Sequence, residues 1–371
     1  MSNLITRGEA EAMIQVAVAA AEARLAQKYL QIARAPRPIK VFGLDGTKQY
    51  ATKVASHLGV ELTDHEEKSF EDGEAYVKPT SERDGNVRGH NVFIIQSLYQ
   101  DDNECVSEKF MKLCIMSGAC VQAKAHEVTA VIPHLAWARQ DRKTRSREPI
   151  TTKIIAKMLQ SAGVNHVLMM DAHNLSAEQN AFDIGMDNLE CKNLFADWFT
   201  GRLDPNAPIV VLTPDGGGLL RADRFRVALM KRLTAHWNKP VEVFIAIYDK
   251  LRRPTGELTG GNIVGDVKGA QVIMLDDMFS TGGTATKACK DVKKFGGKLF
   301  AMTATHGLFV GKANQYLADF DCPIVVADTV DHFRLNEENR AKVHVVDTTS
   351  MFADAIRRIH TGTGSISELL S

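Results

Sequence analysis

Four apolar runs in this chain close on polar residues that could do chemistry. They end on Asp171-Ala172-His173, on Asp215 followed by Gly216, Gly217 and Gly218, on Asp276-Asp277, and on Thr305-His306-Gly307. The third is the richest. After "VIMLDD" (272–277) comes "MFSTGGT" (278–284), which offers the hydroxyls of Ser280, Thr281 and Thr284, with Gly282 and Gly283 where the backbone must approach a ligand closely. A helical pattern follows, so the loop delivers a helix N-terminus, the geometry of a phosphate cradle. It is not a P-loop, because GxxxxGK[ST] is absent. Adjacent carboxylates would repel a phosphate. Asp276 and Asp277 suit instead the 2- and 3-hydroxyls of a ribose whose 5-phosphate sits in the loop.

A second stretch points to a larger polyanion. Arg139, Arg142, Lys143, Arg145 and Arg147 fall within nine residues of "ARQDRKTRSR", directly after a strand pattern and without helical periodicity. That arrangement suits a loop clamping a polyphosphate. Asp171 and His173 are two apart at a strand end, which on an extended chain sets both on one side. In open parallel sheets ligands bind outside the carboxyl ends of the strands, and all four polar endings are of that kind.

The stretch 272–284 resembles the phosphoribosyl-diphosphate motif of type I phosphoribosyltransferases and of ribose-phosphate pyrophosphokinases, and the other motifs single out the second family. Residues 131–159 resemble its ATP-binding segment and flexible loop, which implies ATP contacts at Arg139, Gln140, Asp141, Arg142 and Lys143. "KSFEDGEAYVK" (68–78), in isolation an unremarkable turn, resembles the adenine-binding loop, with Phe70 stacking and Asp72 and Glu74 meeting the nucleoside. "HVLMMDAH" resembles the metal-binding strand end, so the resemblance implies Mg2+ at Asp171 and His173, with His173 meeting the Mg-ATP phosphates. "TPDGGG" makes Asp215 a metal or ribose contact, and "YDKLRR" keeps the Lys250 and Arg252 that the family uses on the transition state. Ribose phosphate then falls to Asp215, Asp276, Asp277, Ser280, Thr281, Gly282, Gly283 and Thr284. "THGLF" (305–309) and "MFADAIRRIH" (351–360) are similar to structural parts of the family. The resemblance runs from about residue 39 to 370.

Its implication is Mg-dependent transfer of the β,γ-diphosphate of ATP to the anomeric hydroxyl of ribose 5-phosphate, in a homo-oligomer of dimers or hexamers with ATP sites shared between subunits. A phosphoribosyltransferase would leave the adenine loop and basic clamp without a purpose. A catalytically silent homologue would carry a disrupted basic loop or lack Lys250, and this chain has both intact. Departures gather on the acceptor side: Ser280 where the family has an acid, Leu220 where it has Lys, "DAHN" for Asp-Leu-His-Ala, "VSEKFMKL" (106–113) in place of its usual helix start, and a longer 221–243. They leave a larger acceptor, a 5-substituted ribose such as ADP-ribose, as the alternative.

Positioning these groups takes an α/β scaffold. Ten apolar runs, at 39–44, 92–97, 128–133, 166–173, 209–217, 243–249, 272–277, 299–307, 324–328 and 343–347, alternate with helical patterns such as 152–163 and 283–297. Runs buried on both faces and separated by helices predict mostly parallel sheets. With the resemblance, this gives two similar halves of type I phosphoribosyltransferase-like fold: an ATP-side domain over 39–188, a ribose-phosphate-side domain over 189–342, and a closing strand and helix over 343–371. Before them, 1–38 reads as a helical extension with a capping box from Thr6 and Glu9, stopped by Pro36 and Pro38.

The whole composition bounds the rest. With 371 residues, 44% hydrophobic and 24% charged, the chain predicts a soluble globular protein of two domains. Forty-five basic and 45 acidic residues cancel, so no global field draws a nucleic acid. Glu9, Glu11, Arg24 and Lys28 break any signal-peptide core, and no run is long and apolar enough to span a membrane. Six scattered cysteines without a CxxC pair read as reduced thiols of a cytoplasmic protein.

Overall fold

Continuous apolar strands, buried on both faces, build the body. The structure, a computed structural model, describes residues 7–34, 37–80, 85–252 and 258–371. Its strands are β1 (Ile39–Gly43), β2 (His65–Ser69), β3 (Ala75–Pro79), β4 (Asn91–Ile95), β5 (Glu127–Ile132), β6 (His166–Met170), β7 (Gly185–Leu189), β8 (Ile209–Thr213), β9 (Val243–Arg252), β10 (Leu258–Val264), β11 (Gln271–Phe279), β12 (Lys298–Gly307), β13 (Ile324–Ala327) and β14 (Val343–Val346). A five-stranded sheet has the order β1-β4-β5-β6-β7 and a seven-stranded sheet the order β10-β9-β8-β11-β12-β13-β14. Every pairing in both is parallel except β9 with β10.

All ten expected strands are present, with ends shifted by a few residues. Four others have no apolar signal to betray them. β2 and β3 form an antiparallel hairpin, so 68–78 is two strand arms around a turn, with Phe70 N donating to Glu74 O at 2.8 Å. β7 lies at a sheet edge, where "GMDNL" stays half exposed. β10 is the opposite edge of the larger sheet and carries two glycines.

Neighbouring residues on one strand serve different cores. Val92 and Ile94 of β4 pack into a cluster on the outer face of the smaller sheet, beside the helix Val106–Gln122. Phe93 and Ile95 face inward, joining Val131 and Leu168 with Val211, Ile273 and Val325 of the larger sheet. A third cluster covers the far face of the larger sheet around Val272, Met302 and Val326. Each such fully buried side chain contributes about 1.5–3 kcal/mol by its removal from water, so the shared middle layer joins the sheets into one unit from Ile39 to Ser371. The closing helix Thr349–Thr361 seals it: Phe352 meets Tyr50 edge-on at 5.9 Å, and the Tyr50 hydroxyl lies 2.8 Å from Thr348 Oγ1.

Residues up to Pro38 are a separate unit. Helix α1 spans Arg7–Arg34, and every side chain described from Ala10 to Ala26 is exposed. Thr6 and Pro36, and with Thr6 the expected capping box, lie outside the described residues.

Candidate active site

The carboxyl ends of the two sheets meet around a cavity of about 970 Å³. Asp171, His173, Asp215, Asp276, Asp277, the 280–284 loop and Arg139 to Arg142 all lie on its wall. So the four polar strand endings converge, with Thr305 representing the fourth. Its neighbour His306 is buried and structural: Nε2 lies 3.2 Å from Met170 O and Nδ1 2.8 Å from Thr329 Oγ1, and burial pulls its pKa down to about 4.

β11 carries the paired carboxylates, which are not equivalent. Asp277 is 3% exposed; its Oδ2 accepts a 2.6 Å hydrogen bond from His173 Nδ1, and Arg221 Nη1 stands 3.8 Å from Oδ1. Burial pushes against ionisation of Asp277, but the His173 hydrogen bond and the Arg221 charge overcome it and hold the carboxyl well below the usual range. Asp276 has the opposite fate. Burial and the neighbouring Asp277 charge raise it well above that range. The Asp277 hydrogen bond raises His173, against the opposing effect of burial. The charged couple in this site is therefore His173 with Asp277, while Asp276 favours its protonated form.

Asp171 differs from the expectation of an extended segment. β6 ends at Met170, and Asp171 takes a left-handed φ of 42°, so Asp171 and His173 do not share one side of a strand. Asp171 Oδ2 accepts from Thr305 Oγ1 at 2.6 Å and from Cys191 N at 3.0 Å. This carboxylate ties the end of β6 to β12, and burial raises its pKa. Asp215 adopts extended backbone before a short turn, and its Oδ1 accepts from Gly217 N at 3.1 Å.

The 280–284 loop has the geometry read from its glycines. Gly282 has φ 82°, a left-handed conformation that a side chain disfavours, and it begins the helix Gly283–Lys294. Among the described residues no side chain caps that helix, so its first N–H groups remain available to an anion at the cavity wall. On the opposite wall, Arg139 Nε approaches Met278 Sδ at 2.9 Å and links the basic loop to the end of β11. Gln140 O accepts from Thr152 N at 3.4 Å, and Asn174 Nδ2 donates to Asp141. Glu148 Oε2 gathers Thr144 N and Arg145 N, both at 2.9 Å, so the loop folds upon its own carboxylate.

Several expected residues stand elsewhere. Lys143 lies in the loop but not on the cavity wall. Phe70, 48% exposed, and Asp72 and Glu74 sit at the hairpin tip, also away from it. Lys250 and Arg252 belong to β9, and their side chains lie outside the described residues. Sequence reasoning missed Arg221, which donates from Nη2 to Ala172 O at 3.1 Å and His173 O at 3.3 Å. Its signal was its place one turn beyond "PDGGG", at the start of the helix Leu219–Trp237. Glu190 was missed as well, because it follows the unrecognised β7; its carboxylate holds Lys192 at 2.9 Å and Arg224 at 2.5 Å on the same wall.

Residues 39–163 match the N-terminal domain of ribose phosphate pyrophosphokinase, and residues 245–371 match the phosphoribosyl synthetase-associated domain. The chain is 35% identical over 342 residues to a ribose-phosphate pyrophosphokinase of Caldanaerobacter subterraneus, covering 92% of this chain and all of that one. It is 38% identical over 325 residues to the Pasteurella multocida protein of the same description, covering 86% of this chain and 96% of that one. A phosphoribosylpyrophosphate synthetase structure from Mycobacterium smegmatis matches with a TM-score of 0.75 at 28% identity, over 88% of this chain and 100% of that one. The fold is two type I phosphoribosyltransferase-like halves, each a mostly parallel sheet flanked by helices.

Proposed function

Because the chain belongs to the ribose-phosphate pyrophosphokinase family, we propose that it makes 5-phosphoribosyl 1-diphosphate. The anomeric hydroxyl of ribose 5-phosphate attacks the β-phosphorus of ATP, the bond to the α-phosphate oxygen breaks, and AMP leaves. One observation carries this reading: an uncapped helix N-terminus preceded by Asp276-Asp277 shares one cavity with His173 and Arg139. The 280–284 loop takes the 5-phosphate, and Asp276 with Asp215 faces the sugar hydroxyls. Arg139, Gln140, Asp141 and Arg142 take the nucleotide phosphates. Such transfers rest on positioning and on cationic groups meeting spreading phosphate charge.

Mg2+ is the proposed metal. Asp171 and Asp215 offer the hard carboxylate oxygens that suit it, alongside substrate phosphates. Bound there, Mg2+ would neutralise diphosphate charge. His173 is better suited to the phosphate than to the metal, since its bond to Asp277 favours the imidazolium, which has no lone pair to give. Lys250 and Arg252 remain proposed transition-state contacts. The exposed hairpin tip of Phe70, Asp72 and Glu74 supports a nucleotide site completed by a second subunit in a cytoplasmic homo-oligomer. The halves 39–188 and 189–342 then serve ATP and ribose phosphate.

Ser280, a neutral side chain on the cavity wall, supports a second reading in which the acceptor is a larger 5-substituted ribose such as ADP-ribose. AMP release from Mg-ATP, compared across ribose 5-phosphate, ADP-ribose and free ribose, tests both. Release that depends on ribose 5-phosphate supports the first; release with no acceptor, or with none of the three preferred, overturns it.

A further inference from the structure

Asn174, a departure from the resembled motif that the proposed reaction does not use, stands where two parts of the cavity wall meet. Its main-chain N–H donates to Glu178 Oε1 at 3.1 Å, and its side-chain Oδ1 accepts from Ala177 N at 3.3 Å. The second of these bonds caps the short helix Leu175–Gln179. Glu178 is fully buried, so the turn after His173 is anchored from beneath. On its other side the Arg221 guanidinium donates to His173 O at 3.3 Å. With Oδ1 committed to the helix, the amide turns Nδ2 outward, and that group donates to Asp141 Oδ2.

Asp141 sits between Gln140 and Arg142 in the basic loop, all three on the cavity wall. The loop is tied at its start to Met278 through Arg139, and otherwise to its own ends: Glu148 gathers Thr144 and Arg145, and Gln140 O accepts from Thr152 N. Arg142, Lys143, Arg145 and Arg147 are exposed. Among the described residues, the bond from Asn174 to Asp141 is the one hydrogen bond that joins 139–150 to the turn 171–174. A hydrogen bond to a carboxylate is stronger than one between neutral groups, and this one starts from an amide whose orientation the helix already fixes. We infer that Asn174 is a positioning residue, a latch that holds the basic loop beside His173 before a nucleotide arrives. The inference rests on the reading that this loop takes the ATP phosphates. A loop already held in place loses less conformational freedom on binding, so the latch tightens nucleotide capture without touching the acceptor.

Limited trypsin digestion of the full-length protein reads the latch without any substrate, because the exposed Arg and Lys of the loop are its cleavage sites. Asn174→Ala speeds cleavage between Arg142 and Glu148, mapped by mass spectrometry, about 5- to 10-fold. Asn174→Ser does the same. Its hydroxyl still accepts from Ala177 N but carries no amide to reach Asp141, so a lost helix cap is not the cause. Asn174→Asp sets two carboxylates face to face and also releases the loop, whereas Asn174→Asp combined with Asp141→Asn reverses donor and acceptor and restores resistance. In AMP-release assays the ATP KM of Asn174→Ala and Asn174→Ser rises about 3- to 10-fold, while kcat and the ribose 5-phosphate KM stay unchanged. Unchanged loop cleavage overturns the latch, as does failure of the exchanged pair to restore it. A loss of Tm or kcat with an unmoved ATP KM, the mark of a merely structural residue, overturns it too. Should the unaltered protein release no AMP with any acceptor, the proposed function falls, and loop cleavage with its rescue decides the latch by itself.

Discussion

Asp277→Asn probes the bridge that holds the two halves of the site in register. Asp277 accepts a 2.6 Å hydrogen bond from His173, with Arg221 at 3.8 Å from its other oxygen. Asn keeps the shape and one acceptor but deletes the charge that draws both cations. A hydrogen bond to a charged group contributes about 1.5–3 kcal/mol, and the lower half of that range applies because solvent screens a partly exposed partner; the His173 side chain is 35% exposed. A loss of about 1.5–2 kcal/mol lowers kcat roughly 10- to 30-fold. The pH dependence carries a second signature. His173 is raised above 6.5 in the folded protein, so the contribution of its charged form is complete below 6.5 and lost as pH rises through the raised value. In the Asp277→Asn variant the raising cause is gone and burial remains, so the alkaline limb of kcat moves to lower pH. AMP release measured across the neutral and alkaline range reads both effects. An unchanged kcat with an unmoved alkaline limb would refute the assignment of His173 as a charged phosphate contact.

Asp276→Asn should be milder than Asp277→Asn, because Asp276 already favours its protonated form, which Asn imitates; Asp276→Leu should raise the KM for ribose 5-phosphate with little change for ATP. Gly282→Ala forces a side chain into a left-handed backbone at φ 82°, a cost of roughly 1–2 kcal/mol, seen as a lower Tm and a raised ribose 5-phosphate KM. Lys112→Met removes the shared partner of Glu67 and Glu104, both nearly buried, and should cost about 3–5 kcal/mol in urea titration at neutral pH. Glu67 is held down at about 2, so its stabilisation is present above 4.5 and lost as pH falls through about 2. The deficit of the Lys112→Met variant should therefore shrink in acid.

The parallel strands were legible because both of their faces are buried, which leaves continuous apolar runs such as 209–213. β2 was not, since "HEEKS" takes part in a polar network rather than a core: His65 and Lys112 both contact Glu67. The geometry of the 280–284 loop was equally readable, because glycine, hydroxyl and helix start are local features. What adjacency in sequence could not reveal was the division of labour between Asp276 and Asp277. That depends on His173 and Arg221, which lie 104 and 56 positions away from Asp277 in the chain and arrive only through the packing of two sheets. Arg221 had one local signal, its place just after "PDGGG" at the start of a helix, but only the packing of the sheets shows that it reaches Asp277.

The polar bonds across the site explain why its parts must come from both sheets. The apolar layer between them fixes distance but resists sliding weakly, since apolar contact is non-directional. Direction comes from polar ties around the end of β6, among them Thr305 to Asp171, His306 to the Met170 carbonyl, His173 to Asp277, and Arg221 to the carbonyls of Ala172 and His173. Each joins the end of β6 to β11, to β12 or to the helix beginning at Leu219, and each is directional. An in-line transfer needs the donor's phosphorus and the acceptor's oxygen aligned to a fraction of an ångström. If the ATP phosphates lie on the β6 side and the ribose on the β11 side, these ties set that alignment before either substrate arrives. On the proposed reading the burial of Asp171 and Asp277 serves register, and Asp276, which among the described residues makes no bond to the other sheet, is left with Asp215 to meet the sugar.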